Sequence, residues 1–278
     1  MTEMMGTNQA IRYLTMLGNI KKYGCTVYPR GLECRELEDC TLVVDSRWPF
    51  MTFVSRNYDI DYFKREMRWK LGANKYDKSI QDSASMWKNV INPDGTYNSN
   101  YGQFWFGEQH GIWDVVTELV RDPDSRKAVI PMLNVSHMSP QTIDTVCTEC
   151  VGFRLRPVNG VLSLNMSVHM RSSDVIYGLG TDIPTFAFLH RLVHGLLDRA
   201  VEPAMMLRLG TITITAMSSH IYARHYDMVN RILSEGTDGY AGFLMPYCDH
   251  TSAMQIIASR GKDEKLLRRS SLGAWLCS

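Results

Sequence analysis

Long apolar runs are missing from this chain. No segment approaches the roughly 18 consecutive apolar residues of a membrane-spanning helix, so no membrane span is expected. The opening Met1-Thr2-Glu3-Met4-Met5 lacks a basic flank and an apolar signal core, which predicts a cytoplasmic protein. A dominant charge is missing too. The net charge is +1, which argues against a general polyanion binder, so DNA binding is not expected. There is no internal repeat and no low-complexity linker. The seven cysteines are odd in number and scattered, which fits reduced thiols better than a disulfide frame. No second Cys-x-x-Cys accompanies Cys147-x-x-Cys150. Read as strand residues, those two thiols point to opposite faces, so no metal site is expected. Gly178-Leu179-Gly180 is half of a dinucleotide fingerprint without its third glycine.

What is present suits one large domain or two small ones. Hydrophobic residues make up 45% of the 278 positions and charged residues 21%, enough for a sizeable core. Helical spacing of Ile11, Leu14, Leu17 and Ile20 predicts a helix over Asn8–Tyr23 that stops at Gly24. Thr41–Val44 reads as a short strand. Asp59–Gly72 reads as a helix capped by Asp59, and Ser83–Ile91 as another. Asn92–Tyr101 is loop chemistry, and Glu108–Arg121 is helical up to Asp122-Pro123. Cys147–Arg156 and Val161–Arg171 flank Asn159-Gly160, a hairpin signal. In the second strand Leu162, Leu164, Met166, Val168 and Met170 share one face and polar residues the other. Pro184–Ala200 reads as an apolar helix, Gly210–Ala216 as a strand and Arg224–Ser234 as a helix. From Glu235 to Ser278 the pattern weakens into a basic, poorly periodic tail.

Several clusters carry chemistry. A thiol near fixed positive charge ionises readily, and Cys147 has Arg171-Ser172-Ser173-Asp174 downstream, a cluster suited to gripping phosphate. Together they suggest a cysteine nucleophile acting on a phosphorylated substrate. Arg126-Lys127 follows a turn and leads into a strand, either as a solvated turn or as a phosphate contact. Glu66 shares a helix face with Tyr62, Phe63 and Trp69. A carboxylate desolvated among aromatics suits proton shuttling, and the alternative is a surface Glu paired with a neighbouring Lys or Arg. His220 and Tyr222 share a face if the strand before them continues, and such a pair can hold a sugar hydroxyl.

These segments, in this order, resemble the thymidylate synthase superfamily from about Arg30 to Ile232, most closely its deoxycytidylate hydroxymethylase branch. Glu66-Met67-Arg68-Trp69-x-x-Gly72 resembles the family's glutamate helix, and Asn98-Ser99-Asn100-Tyr101-Gly102 its Tyr-Gly loop. Asp122-Pro123-Asp124-Ser125-Arg126-Lys127 matches apart from Lys127 in place of a second arginine. Arg171-Ser172-Ser173-Asp174-Val175 and His220-Ile221-Tyr222 match as well. Cys147-Thr148 resembles the branch's nucleophile motif. Cys150 fits the usual distance to Arg171 better but breaks that motif, and a lengthened hairpin reconciles Cys147.

The resemblance implies an α/β (α+β) fold, a large mixed sheet covered by helices and dimerising through the sheet. It implies a single domain over residues 1–278, with 235–278 divergent. It implies one-carbon transfer from 5,10-methylenetetrahydrofolate to C5 of a pyrimidine nucleoside monophosphate through a Cys147–C6 adduct. Glu66 moves protons, while Tyr101 and Asp174 line the site. Arg30, Arg171 and Ser172 hold the phosphate, and Arg126 and Lys127 reach the other subunit of a homodimer. His220 and Tyr222 hold the sugar, and Trp87 and Asp174 face the folate.

Uracil-using relatives carry Asn where Asp182 stands, eleven residues past Arg171. A carboxylate accepts from the cytosine 4-amino group and supports N3 protonation. The alternative is that Asp182 caps a helix beginning near Pro184. The expected reaction is hydroxymethylation of dCMP. Methyl transfer to dCMP or dUMP, hydroxymethylation of CMP, and a non-catalytic RNA-binding or regulatory role are the competing readings.

Overall fold

The computed structural model describes residues 2–107, 110–158, 160–200 and 206–278, with the backbone alone for residues 2–7. In chain order the main elements are α1 (Thr2–Tyr23), β1 (Cys25–Val27), β2 (Cys34–Asp45), α2 (Ile60–Leu71), α3 (Gly102–Trp105), α4 (Ile112–Arg121), β3 (Val129–Pro131), β4 (Thr148–Val158), β5 (Val161–Met170), β6 (Ser173–Asp174), α5 (Gly178–Leu197), β7 (Leu207–Tyr222), α6 (Tyr226–Glu235), α7 (His250–Ser259), α8 (Glu264–Leu267) and α9 (Ser271–Leu276). The strand order is β1-β2-β7-β5-β4-β3, with β6 beside β7. β2 pairs antiparallel with β7 and β6 parallel with β7, so the sheet is mixed and the α/β fold class holds.

Two compact units divide these elements. The first comprises Met1–Tyr58, Ser167–Phe188 and Gly210–Met245. Here β2 runs the full length of Cys34–Asp45 against Thr211–Tyr222, far beyond the predicted Thr41–Val44 and Gly210–Ala216. Sheet pairing, rather than local β propensity, carries the polar ends of both strands. α1 buries Tyr13, Leu17 and Ile20 but leaves Ile11 exposed, so its apolar stripe is rotated from the predicted one. The Tyr13 hydroxyl supplies the reason, donating to the Val175 carbonyl at 2.7 Å. The helix ends as expected at Gly24, whose N–H closes on the Ile20 carbonyl.

The second unit comprises Asp59–Met166, Leu189–Leu209 and Pro246–Ser278. β4 and β5 form the expected hairpin arms; Asn159 of the predicted turn lies outside the described residues. The five apolar β5 positions of the predicted face are all buried. Ser83–Ile91 is not an α-helix. It holds a short 3-10 turn, Ser85–Lys88, preceded by an extended Ala84. Trp87 is drawn instead into a cluster with Trp69, Ile80 and Tyr97, and that packing overrides helix propensity. α4 starts at Ile112; Glu108 and Gln109 of its predicted start lie outside the described residues.

The tail is more ordered than its sequence pattern suggests. α7, α8 and α9 are each started by a side-chain cap, with Asp249, Asp263 and Ser270 accepting from the N–H of Ser252, Leu266 and Gly273. The group packs on α2: Arg68 reaches Glu264 at 2.9 Å, and Lys64 donates to the Ser278 hydroxyl at 2.8 Å.

Candidate active site

In the second unit, α2 places Glu66. Asp59 caps the helix by accepting from the Tyr62 N–H at 2.7 Å, which sets the register in which Glu66 faces inward. Glu66 is buried, as its aromatic company predicts, but it is not alone there. Lys70, one turn on and only 2% exposed, reaches Glu66 Oε1 at 2.9 Å. The expected neutral aromatic setting is therefore corrected to a buried ion pair. Glu66 Oε2 is buried with no hydrogen-bond partner among the described residues.

The segment Asn98–Gly102 anchors two neighbours at once. Asn100 donates from Nδ2 to the carbonyls of Trp69 (3.3 Å) and Asn74 (3.2 Å), fastening the turn to the end of α2. Asn98 donates to the Asp144 carbonyl, and Ser99 donates its N–H and its hydroxyl to the Asp144 carboxylate. Asn92 Oδ1 accepts the N–H groups of Ile143 and Asp144. Loop 143–147, which delivers Cys147, is thus fixed by amides from the polar stretch before Tyr101.

Cys147 is half-buried at the entrance to β4, not within it, so the argument that strand geometry separates it from Cys150 does not apply. No cluster of three or more metal-ligating side chains occurs among the described residues, and no cysteine is in a disulfide. The neighbouring Thr148 donates to the Tyr101 hydroxyl at 3.1 Å, and the Lys70 ammonium lies 5.0 Å from the centre of the Tyr101 ring. Glu66, Lys70, Tyr101, Thr148 and Cys147 therefore form one connected series. Cys150 pairs with Pro131 inside the sheet; burial and the Glu149 carboxylate push its thiol upward, away from the reactive thiolate.

Trp87 is largely buried, 5.1 Å from Trp69 by ring centres, and its indole N–H donates to the Tyr62 hydroxyl. Arg126 and Lys127 are exposed on a turn that Ser125 ties down, its hydroxyl donating to Glu118 and accepting the Lys127 N–H.

The first unit holds the other candidates. Arg30 is exposed in a tight turn at φ 53°, the left-handed region. Arg171 and Ser172 are half-buried where β5 ends, and β6 follows at once. There Asp174 lies in register with His220, and Glu36 of β2 faces His220 from its other side. Burial pushes the His220 imidazole below its usual range; Asp174 and Glu36 oppose the shift and Arg30 adds to it. His220 Nε2 is buried without a partner among the described residues, and its ring lies 5.0 Å from that of Tyr222, edge to face. β7 does continue through both residues, as their shared face requires.

Asp182 does not cap a helix starting at Pro184, because α5 begins at Gly178 and carries Asp182 inside it. A methyl added at Gly178 would lie 3.4 Å from the Asp174 Cβ and 3.8 Å from Asp182 Oδ2, so both side chains approach that glycine. A separate cavity of about 350 Å³, lined by Lys21, Arg35, Ile221, Tyr226, Val229 and Asn230, includes none of the predicted site residues.

The sequence reading weighed a neighbouring Lys or Arg only as the partner of a surface Glu66 and did not single out Lys70, which pairs with it in the interior. The signal was there, since a Glu and a Lys four residues apart on a helix are neighbours.

The comparisons with known proteins bear on the family. The thymidylate synthase family model matches residues 11–251. The deoxycytidylate 5-hydroxymethyltransferases of the enterobacteria phages T6 and T4 are each 26% identical over 219 residues, covering 76% of this chain and 85% of theirs. A thymidylate synthase of Fusobacterium nucleatum subsp. nucleatum is 30% identical over 163 residues, 57% of this chain and 54% of that protein. With 241 consecutive positions matched, from 11 to 251, the chain belongs to the thymidylate synthase family, enzymes of one-carbon transfer to a pyrimidine.

Proposed function

We propose that this enzyme hydroxymethylates C5 of a cytosine nucleotide, converting dCMP to 5-hydroxymethyl-dCMP. The observation that carries the reading is the series Thr148–Tyr101–Lys70–Glu66, which ties the residue next to the half-exposed Cys147 to a buried carboxylate. The similarity to phage deoxycytidylate 5-hydroxymethyltransferases supports the choice of base and product.

The Cys147 thiolate bonds to C6, and the C5–C6 π pair moves onto C5. That makes a poorly nucleophilic carbon able to attack. 5,10-Methylenetetrahydrofolate, the co-substrate, supplies the one-carbon unit when bound. Two residues suit its ring system: Trp87 as an apolar contact, its N–H already committed to Tyr62, and Asp174, half-buried with Oδ1 accepting the Ile176 N–H. C5 would bond to that one-carbon unit, and loss of the C5 proton with departure of tetrahydrofolate, which keeps the C–N electron pair, would leave an exocyclic methylene. Water bonds to that carbon while Glu66 takes the water proton, the electrons return through the ring, and the S–C6 bond breaks to restore the thiolate.

Arg171, Ser172 and Arg30 bind the phosphate, with Arg126 and Lys127 added from a second subunit of a homodimer. His220, whose Nε2 has no hydrogen-bond partner among the described residues, and Tyr222 hold the sugar hydroxyl. Asp182 accepts from the cytosine 4-amino group. A mismatched polar partner in a desolvated pocket costs about 1–3 kcal/mol, enough to set base preference.

Tritium release from C5-labelled dCMP, dUMP and CMP with methylenetetrahydrofolate tests the reading. We expect release from dCMP, none with Cys147→Ala, retained release with Cys150→Ala, and a shift toward dUMP with Asp182→Asn. Release from dUMP alone overturns the base assignment. An absorbance rise from dihydrofolate, the mark of a methyl product, overturns the hydroxymethyl assignment in favour of the activity named for the Fusobacterium relative.

A further inference from the structure

Lys70 has no part in the proposed chemistry itself, yet it contacts Glu66, the proton carrier, and Tyr101. Its ammonium is 2.9 Å from Glu66 Oε1 and 5.0 Å from the centre of the Tyr101 ring, and its side chain is 3% exposed. Its own carbonyl is the surface on which Gly102 rests. A buried ammonium is retained only where an anion compensates it, and here that anion is Glu66. The pair divides the two carboxylate oxygens. Oε1 is committed to Lys70, whereas Oε2 is buried and has no hydrogen-bond partner among the described residues. A carboxylate free to rotate presents either oxygen; one clamped at Oε1 presents Oε2 alone.

We propose that Lys70 is a positioning residue which clamps Glu66 through Oε1 and so makes Oε2 the oxygen that takes and returns protons. The inference rests on the reading of Glu66 as the proton carrier. Lys70 keeps that carrier in one orientation relative to Tyr101, and through Thr148 relative to the segment bearing Cys147. Misplacement of such a group by an ångström costs about 100-fold in rate.

A double-mutant cycle in the full-length enzyme tests it, with steady-state tritium release from labelled dCMP as the readout and the thermal midpoint recorded for each variant. Lys70→Met is expected to lower kcat by about 10- to 100-fold while KM for dCMP moves less than about threefold. Lys70→Arg, which keeps the charge, is expected to recover most of the loss. In a Glu66→Gln background, Lys70→Met is expected to lower kcat no further, because the group it positions is gone. Should the methionine variant not fold, Lys70→Leu, likewise unable to donate to Oε1, takes its place in the cycle.

Full kcat in Lys70→Met, or an equal loss with and without Glu66, overturns the role of Lys70 and leaves the proton carrier standing. Full kcat in Glu66→Gln overturns the proton-carrier reading itself, and Lys70's role with it.

Discussion

His190 shows how a single side chain ties stability to pH. It is fully buried in α5, its Nε2 hydrogen-bonded to the Leu164 carbonyl at 2.9 Å. Burial pulls its pKa from 6.5 to about 3, so the fold holds it neutral. The unfolded chain binds a proton at this imidazole below about pH 6.5 and the folded chain does not. Its contribution to stability is thus complete above pH 6.5 and is lost as pH falls toward 3, on the order of 5 kcal/mol in all. Burial pushes His137, His194, His220 and His225 in the same direction. Denaturant unfolding measured from pH 7 to pH 4 is expected to show a steep fall in stability that His190→Gln makes shallower. An unchanged slope in that variant refutes the assignment.

Residues of this kind are poorly legible in sequence, because a histidine between apolar neighbours looks the same whether it is paired or orphaned. The burial of Glu66 was legible from its aromatic neighbours, whereas the base-reading role of Asp182 remains a proposal. Their surroundings were not: the partner of Glu66 and the placement of Asp182 within α5 depend on which way each helix turns.

Elements follow a similar division. α2 was legible because a capping Asp59 precedes a run with a defined apolar face, and β5 because its apolar and polar residues alternate. The region around Trp87 was not, since aromatic clustering outweighs local propensity. α8 and α9 were missed because they are short and α7 because its apolar pattern is weak, although Asp249, Asp263 and Ser270 marked each start.

α3 meets the end of α2 at very close range. A Cβ at Gly102 would lie 1.6 Å from the Lys70 carbonyl oxygen, a backbone atom that cannot swing away. Gly102→Ala is expected to destabilise the fold by about 3 kcal/mol, within the range of forced overpacking, and to depress tritium release by displacing Tyr101 from Lys70. A denaturation midpoint equal to that of the wild type, with full activity, contradicts this.

For the whole molecule, the family assignment was legible because five motifs stand in order along the chain, each weak alone. Subunit composition is decided by surfaces that sequence pattern does not encode. The proposed homodimer takes its support from the exposed Arg126 and Lys127, held on a hydrogen-bonded turn at the chain's surface. If they complete a second subunit's phosphate site, inactive Arg126→Glu and inactive Cys147→Ala chains complement each other. After unfolding together and refolding at equal ratio, about a quarter of wild-type activity is expected, because half the dimers are mixed and each carries one intact site. No recovery on mixing places the two residues in the same site.

The glycine at 102 also bears on how such an enzyme is diversified. Because the Lys70 carbonyl admits no side chain opposite it, segments 60–72 and 97–105 constrain each other's backbone at atomic distance. A hybrid that takes one of them from a relative and keeps the other inherits a mismatched joint. Crossover points between the two are therefore disfavoured, and the pair is best transplanted as a single cassette.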